Sequence, residues 1–420
     1  MISPGAKGWI SKYFHLIENG TIVINYKRPK QLTKLRHMHL TLVKSGIVFG
    51  YPDQLIFGKN LNDKEWTRDE KLKLLLFESL LFVYTQIHRK EAFDKDKFLN
   101  SLIAFYESHE ASSIGKIFNF FLKESPEEKL EKILADRIDI KMNLLENRWW
   151  INSLSNVFSY LDVILFDDFE HRNDDDALSQ NYTAFAKAAL TTISISAHAD
   201  GVLEGKEKNL FNIFLASSNL KDEARDDAKA QFKRGATFED IPEFVKQHWL
   251  LKRFLLDLAI LTIVSDEELL DVELEYLQNL TNYLEIPSGE LEESLTMTEN
   301  FLLRAQHELE FMKDSSSYEK VYSRLSKRWG KILMRNKDKL GTEIRQSKDL
   351  IFLVKKSATE ELTKEEKDLV KTQFKDIVKS VPALAIFMLP GGAVLLPLIL
   401  KIIPDLVPSA FKENEIDEKN

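Results

Sequence analysis

The sequence predicts a mainly α-helical protein: a multi-helix body followed by a C-terminal membrane segment kinked by proline. Three observations predict it. Helix breakers are scarce, with 15 Gly and 11 Pro in 420 residues, and five of those prolines lie between Pro382 and Pro408, which leaves the rest unusually uninterrupted. Apolar residues recur at three- and four-residue steps over long stretches, the helical period. Residues 381–400 form a run of twenty without a charge, about 30 Å if helical and enough to cross a hydrocarbon core.

Composition narrows the function classes. A hydrophobic fraction of 44% and a charged fraction of 30% are those of a globular chain with a sizeable core. The net charge of −8 argues against a general nucleic-acid binder, yet residues 320–356 hold 12 Lys/Arg against 3 Asp/Glu. There is no cysteine, so disulfides, thiolate metal sites and cysteine nucleophiles are excluded. The N-terminus shows neither a signal-peptide apolar run nor a transit-peptide composition, which places the body of the chain in a cytoplasm.

Residues 1–65 are the least regular. The β-branched runs "GTIVIN" and "LTLVKSGIVFG" suit a short hairpin or extended loops, in which His37 and His39 point the same way, as metal ligands do; with no third ligand evident, they read as surface histidines. A helical domain is expected over 66–178. In "RDEKLKLLLFESLLFVYTQIH", Leu72, Leu76, Leu80, Val83 and Ile87 share one face, and Glu78 interrupts the run, so it reads as a buried helix rather than a membrane span. Adjacent Trp149 and Trp150 diverge by about 100° on a helix and cannot share one core. "DDFEHRNDDD", residues 167–176, has no Gly to turn the backbone around an ion and reads as a solvated acidic linker.

Over 179–310 a motif occurs twice, 66 residues apart: Asp200, Leu203 and Glu207, then Asp266, Leu269 and Glu273. Each set lies between apolar helices, so the pattern predicts helix, tight loop, helix. Glu207 and Glu273 fall in a first turn, where free N–H groups favour a carboxylate; Asp271 is placed as an N-cap. This arrangement resembles the TerB-like helical fold of tellurite-resistance proteins. The resemblance implies cation or partner binding at Asp200, Glu207, Asp266 and Glu273, while the residues themselves favour a capping role.

The last region, 316–420, combines basic helices with a membrane segment at about 381–403. A capping box, Thr363 with Glu366, opens a helix bearing Lys367, Lys371, Lys375 and Lys379 at four-residue steps, the pattern of a membrane-surface helix. Beyond it come Pro382, Pro390, Gly391, Gly392, Pro397, Lys401, Pro404 and Pro408. This ladder, over about 320–411, resembles the LETM family of membrane proteins, best known from the mitochondrial inner membrane. Joined to a TerB-like module it resembles the LETM-related biofilm-associated proteins of bacteria.

The resemblance implies links to cation/proton exchange, volume control and ribosome binding. It also implies a carboxylate three residues after the second proline, where this chain has Ala393; proton-coupled transport needs such a group. The nine residues after Phe411 leave the family's EF-hand region unexpected. The first expectation is therefore a non-enzymatic adaptor on a bacterial inner membrane, its bulk cytoplasmic, with lipid and a protein partner or a second copy as partners and no cofactor. Cation homeostasis is the second reading, and ribosome association through 320–356 the third; without the EF-hand region calcium sensing and ribosome binding lose most of their support, and neither nucleic acid nor the ribosome is expected as a partner.

Overall fold

The structure is a computed structural model. It describes the chain except residues 1, 25–27, 31, 109–123, 140–155, 173–177, 200, 202, 204, 265–270, 306–314, 380–383, 385–386, 388–391 and 411–420. Among the described residues there are 17 α-helices and no strand, as the mainly α expectation requires. They divide into two compact units, one from Met1–Leu295 and one from Thr296–His307 with Met312–Asn420. Trp149 and Trp150 lie outside the described residues.

The first unit is built around α3 (Arg68–Ile87). Thr67 caps it: its side chain accepts from Glu70 N at 3.2 Å, and Glu70 Oε2 accepts from Thr67 N at 2.7 Å. The helix is buried on nearly every side, with Leu74–Phe77 and Leu80–Val83 in the core. Around it lie α1 (Trp9–Glu18), α2 (Lys34–Ser45), α4 (Lys95–Glu107), α5 (Pro126–Ile138) and α6 (Ser159–Arg172). α1 has no cap of its own; Glu131 of α5 accepts from Gly8 N at 2.8 Å and Ile10 N at 2.9 Å instead.

The other half of this unit packs α7 (Leu178–Ser196) along α10 (Trp249–Val264), joined by α8 (Gly205–Ser217), α9 (Asp222–Arg234), α11 (Asp271–Tyr283) and the start of α12 (Ser288–Ala305). Packing crosses the boundaries expected at 65/66 and 178/179: α2 touches α3 and α10, and α6 lies along both α3 and α7.

Three expectations are corrected in this unit. Residues 34–49 are helical, not extended, because Thr33 caps α2 and Gly46, at φ +88°, ends it. His37 and His39, two apart on a helix, therefore diverge. His39 Nε2 lies 2.7 Å from Asp257 Oδ2 on α10, with both groups fully buried. Finally, Asp167–His171 are not a linker but the last turns of α6, and Asp167 is buried.

His37 is buried edge-on to Phe82. Burial, assisted by Arg28, pushes its pKa down to about 4. The unfolded imidazole takes its proton near pH 6.5, so the stability due to the neutral ring is complete above that pH and is lost as pH falls towards 4. The whole effect is about 3 kcal/mol. His37→Leu should remove it: the difference in urea-unfolding free energy between parent and variant should shift by about that amount from pH 7 to 4. A constant difference would refute the assignment.

The second unit holds α13 (Ser315–Arg335), α14 (Lys337–Gln346), α15 (Lys348–Lys356), α16 (Lys364–Val378) and α17 (Gly392–Leu406). Trp329 of α13, fully buried, meets Phe387 edge-on at 4.7 Å, and Phe374 of α16 meets the same ring at 6.1 Å. At Gly341 a Cβ would come 3.2 Å from the Leu406 carbonyl, so the glycine allows α14 to approach α17 closely.

The membrane segment expected at about 381–403 finds no support among the described residues. Residues 392–406 form a helix of 15 residues, about 22 Å long, against the roughly 30 Å of a hydrocarbon core. Leu395, Leu398, Ile399, Ile402, Ile403 and Leu406 face inward against α13, α14 and α16, while Pro397, Lys401 and Asp405 are exposed. No helix among the described residues is long and apolar enough to cross a membrane. Pro382, Pro390 and Gly391 lie outside the described residues.

Candidate functional site

The sequence proposed two kinds of site, and the structure treats them differently. Of the paired acidic motif, Glu207 and Glu273 sit buried in the first turns of α8 and α11. Asp200 and Asp266 lie outside the described residues. Asp271 is the first residue of α11 rather than its cap. No group of three or more His, Asp or Glu among the described residues is placed to hold a metal ion.

In the second unit the capping box of α16 is formed: Thr363 Oγ1 accepts from Glu366 N at 3.2 Å, and Glu366 Oε2 accepts from Thr363 N at 2.9 Å. The lysine stripe it introduces is largely neutralised by neighbours. Lys367 bonds Glu361 at 2.9 Å, Lys371 lies 3.6 Å from Asp368, and Lys379 pairs with Asp376. Lys375 has no carboxylate partner among the described residues; burial, then Lys371 and Lys379, lowers its pKa. Of the ladder, Gly392 opens α17, Pro397 and Lys401 are exposed, Pro404 is half-buried, and Pro408 starts a short 3-10 turn.

A stronger cationic surface lies on the three preceding helices. α13 is sharply amphipathic: Val321, Leu325, Trp329, Ile332 and Leu333 are buried, and Lys327, Lys331 and Met334 form the opposite, exposed stripe. Glu299 draws Arg328, at 3.2 Å, and Arg324, at 3.6 Å, away from solvent. Lys327 and Lys331 keep no carboxylate partner among the described residues, and the same holds for exposed Lys339 and Arg345 on α14 and Lys348 on α15. On α15, Phe352 is 64% exposed and stands four residues after Lys348 and three before Lys355. Ammonium and guanidinium groups left free in this way suit phosphate oxygens, which accept from several donors at once.

Sequence reasoning missed the polar core of the first unit. Arg253, fully buried, donates from Nη1 to Glu290 at 2.7 Å and from Nη2 to Ser294 at 2.9 Å. Glu293 also accepts from Arg36 Nε at 2.9 Å. With His39–Asp257, these bonds tie α2 and α12 to α10. The available signal was Arg253 and Asp257 at four-residue spacing inside an otherwise apolar helix.

Residues 362–420 match the family model described as LETM1-like, RBD. This match starts later than the 320 expected and takes in α16, α17 and the residues C-terminal to them. A curated protein of Saccharomyces cerevisiae, the LETM1 domain-containing protein YLH47, mitochondrial, is 38% identical over 76 residues, which are 18% of this chain and 16% of that protein. No solved structure matches. Neither comparison supports a TerB-like region over 179–310 or a link to biofilms.

Proposed function

We propose that this chain, LETM1-like in its last helices, is a non-enzymatic helical adaptor whose second unit docks on a phosphate-rich assembly, the ribosome. The observation that carries this reading is the set of exposed cations without carboxylate partners among the described residues, Lys327, Lys331, Lys339, Arg345 and Lys348, on the unit that holds the LETM1-like match. Such groups bind ribosomal RNA by releasing counterions, so affinity carries a steep salt dependence. The whole-chain charge of −8 does not oppose this, since screening confines attraction to about 8 Å at physiological salt.

The test is co-sedimentation of the full chain with purified bacterial ribosomes. Binding should weaken by about two orders of magnitude between 50 and 200 mM salt. Lys327→Glu with Lys331→Glu should cost at least about tenfold in affinity with an unchanged circular dichroism spectrum. Salt-independent pelleting, or a variant that pellets like the parent, would remove the reading.

A second reading rests on Phe352 and Met334, apolar groups exposed among lysines, the composition of a helix that lies on an anionic membrane. The inner-membrane location then becomes peripheral rather than spanning. Flotation with phosphatidylglycerol vesicles that is lost in Phe352→Ser would favour it.

A further inference from the structure

In the first unit, a cleft of about 470 Å³ opens where the last turns of α6 meet the beginnings of α2 and α10. Most of its polar groups are satisfied. His248 Nδ1 stands 2.9 Å from Asp168 Oδ2. His171 Nδ1 lies 2.6 Å from the Asp167 carbonyl oxygen, and its Nε2 lies 2.9 Å from Lys34 Nζ. A carbonyl can only accept, so Nδ1 carries the proton and Nε2 accepts from the ammonium.

Asp168 Oδ2 and Asp167 Oδ1 are the exceptions, and the Asp167 carboxylate is the more buried of the two. It is 7% exposed, it forms part of the cleft wall, and its Oδ1 receives no hydrogen bond among the described residues. His171 Nδ1 is 3.5 Å from that oxygen, but its proton is committed elsewhere. Burial raises the carboxyl pKa to about 6, against the pull of His171 and Lys34 and with the push of Asp168 and Glu170, so the group is ionised at pH 7.5. A buried acceptor without a donor is costly, and the cleft is the open space beside this carboxylate.

The rest of the wall narrows the chemistry. Leu35, Ile164 and Leu250 are apolar, and no metal-binding group of three or more ligands exists among the described residues. We propose that this cleft binds a small organic cation, whose ammonium donates to the Asp167 carboxylate while its alkyl part lies against Leu35, Ile164 and Leu250. The volume is that of small-molecule sites, which run from roughly 300 to 1,000 Å³. Lys34 is the built-in competitor: burial lowers its pKa and Asp167 opposes that, so it shares the carboxylate's field without bonding to it.

The experiment uses the full chain at pH 7.5 and n-butylammonium chloride, with sodium butyrate and sodium chloride as matched controls. Saturation-transfer NMR should show contact with butylammonium and none with butyrate. Asp167→Asn should abolish the transfer while leaving the melting temperature unchanged or higher, since an unpartnered buried charge is removed. Lys34→Met should bind butylammonium severalfold more tightly, an effect that a purely structural role would not produce. Absence of transfer to the parent, as when ordered water alone fills the cleft, overturns the proposal. So does equal transfer to Asp167→Asn, or binding of butyrate in place of butylammonium.

Discussion

Asp162→Ala is expected to lower the unfolding free energy by about 3–5 kcal/mol, the cost of leaving a buried partner charge behind. Asp162 and Arg137 are both buried. Arg137 Nε donates to Asp162 Oδ2 at 2.7 Å, Nη2 donates to Oδ1, and Tyr106 Oη donates to Oδ2 at 3.1 Å. The guanidinium also stands 4.8 Å from the centre of the Tyr182 ring. These contacts join α4, α5, α6 and α7. Burial depresses the Arg137 pKa, and Asp162 and Tyr182 more than reverse it; without Asp162 the guanidinium still keeps its proton, as arginine does in proteins, so its charge is left stranded. Arg137→Met combined with Asp162→Leu should recover most of the loss, because an apolar pair leaves no stranded charge. Urea titration measures both; a loss below about 1 kcal/mol in the single variant would show that water reaches the arginine.

Glu78→Ala is expected to cost about 3–5 kcal/mol. The Glu78 side chain lies in the middle of α3 and is fully buried. Its carboxylate accepts from the backbone N–H groups of Ile56 at 2.6 Å, Phe57 at 3.0 Å and Gly58 at 2.8 Å, and from Tyr13 Oη at 2.7 Å. Burial raises its pKa, although all four bonds oppose the rise. Gly58 belongs to the same device, since a Cβ there would stand 2.8 Å from Glu78 Oε1. Loss of the carboxylate leaves three N–H donors buried without an acceptor. Hydrogen exchange at residues 56–58 should accelerate by at least about tenfold in Glu78→Gln, where one acceptor becomes a donor. Unchanged protection there would mean that the loop is held by its apolar contacts.

The same glutamate shows what the sequence could and could not convey. Periodicity placed α3 correctly, and one charge sufficed to separate it from a membrane span. Nothing local showed that the charge would turn inward, because its four donors lie 20 to 22 and 65 residues away. The capping box of α16 and the first-turn positions of Glu207 and Glu273 were legible because they are short-range. In the amino-terminal region the signal lay in punctuation rather than in β-branched runs: Thr33 and Gly46 bracket α2 as start and stop. The acidic run misled in a similar way. Asp167, Glu170 and His171 stand at helical spacings on α6, and their charge suggested solvent where Asp167 finds a buried wall.

The C-terminal segment failed for a different reason. A hydropathy window counts apolar residues but does not ask which way they point. Leu395, Leu398, Ile399, Ile402, Ile403 and Leu406 recur at three- and four-residue steps, and Lys401 and Asp405 mark the other side. Extending the window by five residues past Leu400 would have turned a membrane span into an amphipathic helix.

Pro397 and Pro404 stand two turns apart within α17, Pro397 exposed and Pro404 half-buried. Each ring displaces the carbonyl four residues back, at Ala393 and Leu400, and offers no N–H in return. The broken rungs alternate with those beneath Ile399 and Ile403, whose N–H groups remain to bond the carbonyls four residues back. Prolines placed this way are where a helix bends, and Leu395, Leu398, Ile399, Ile402 and Ile403 stay buried on its inner face.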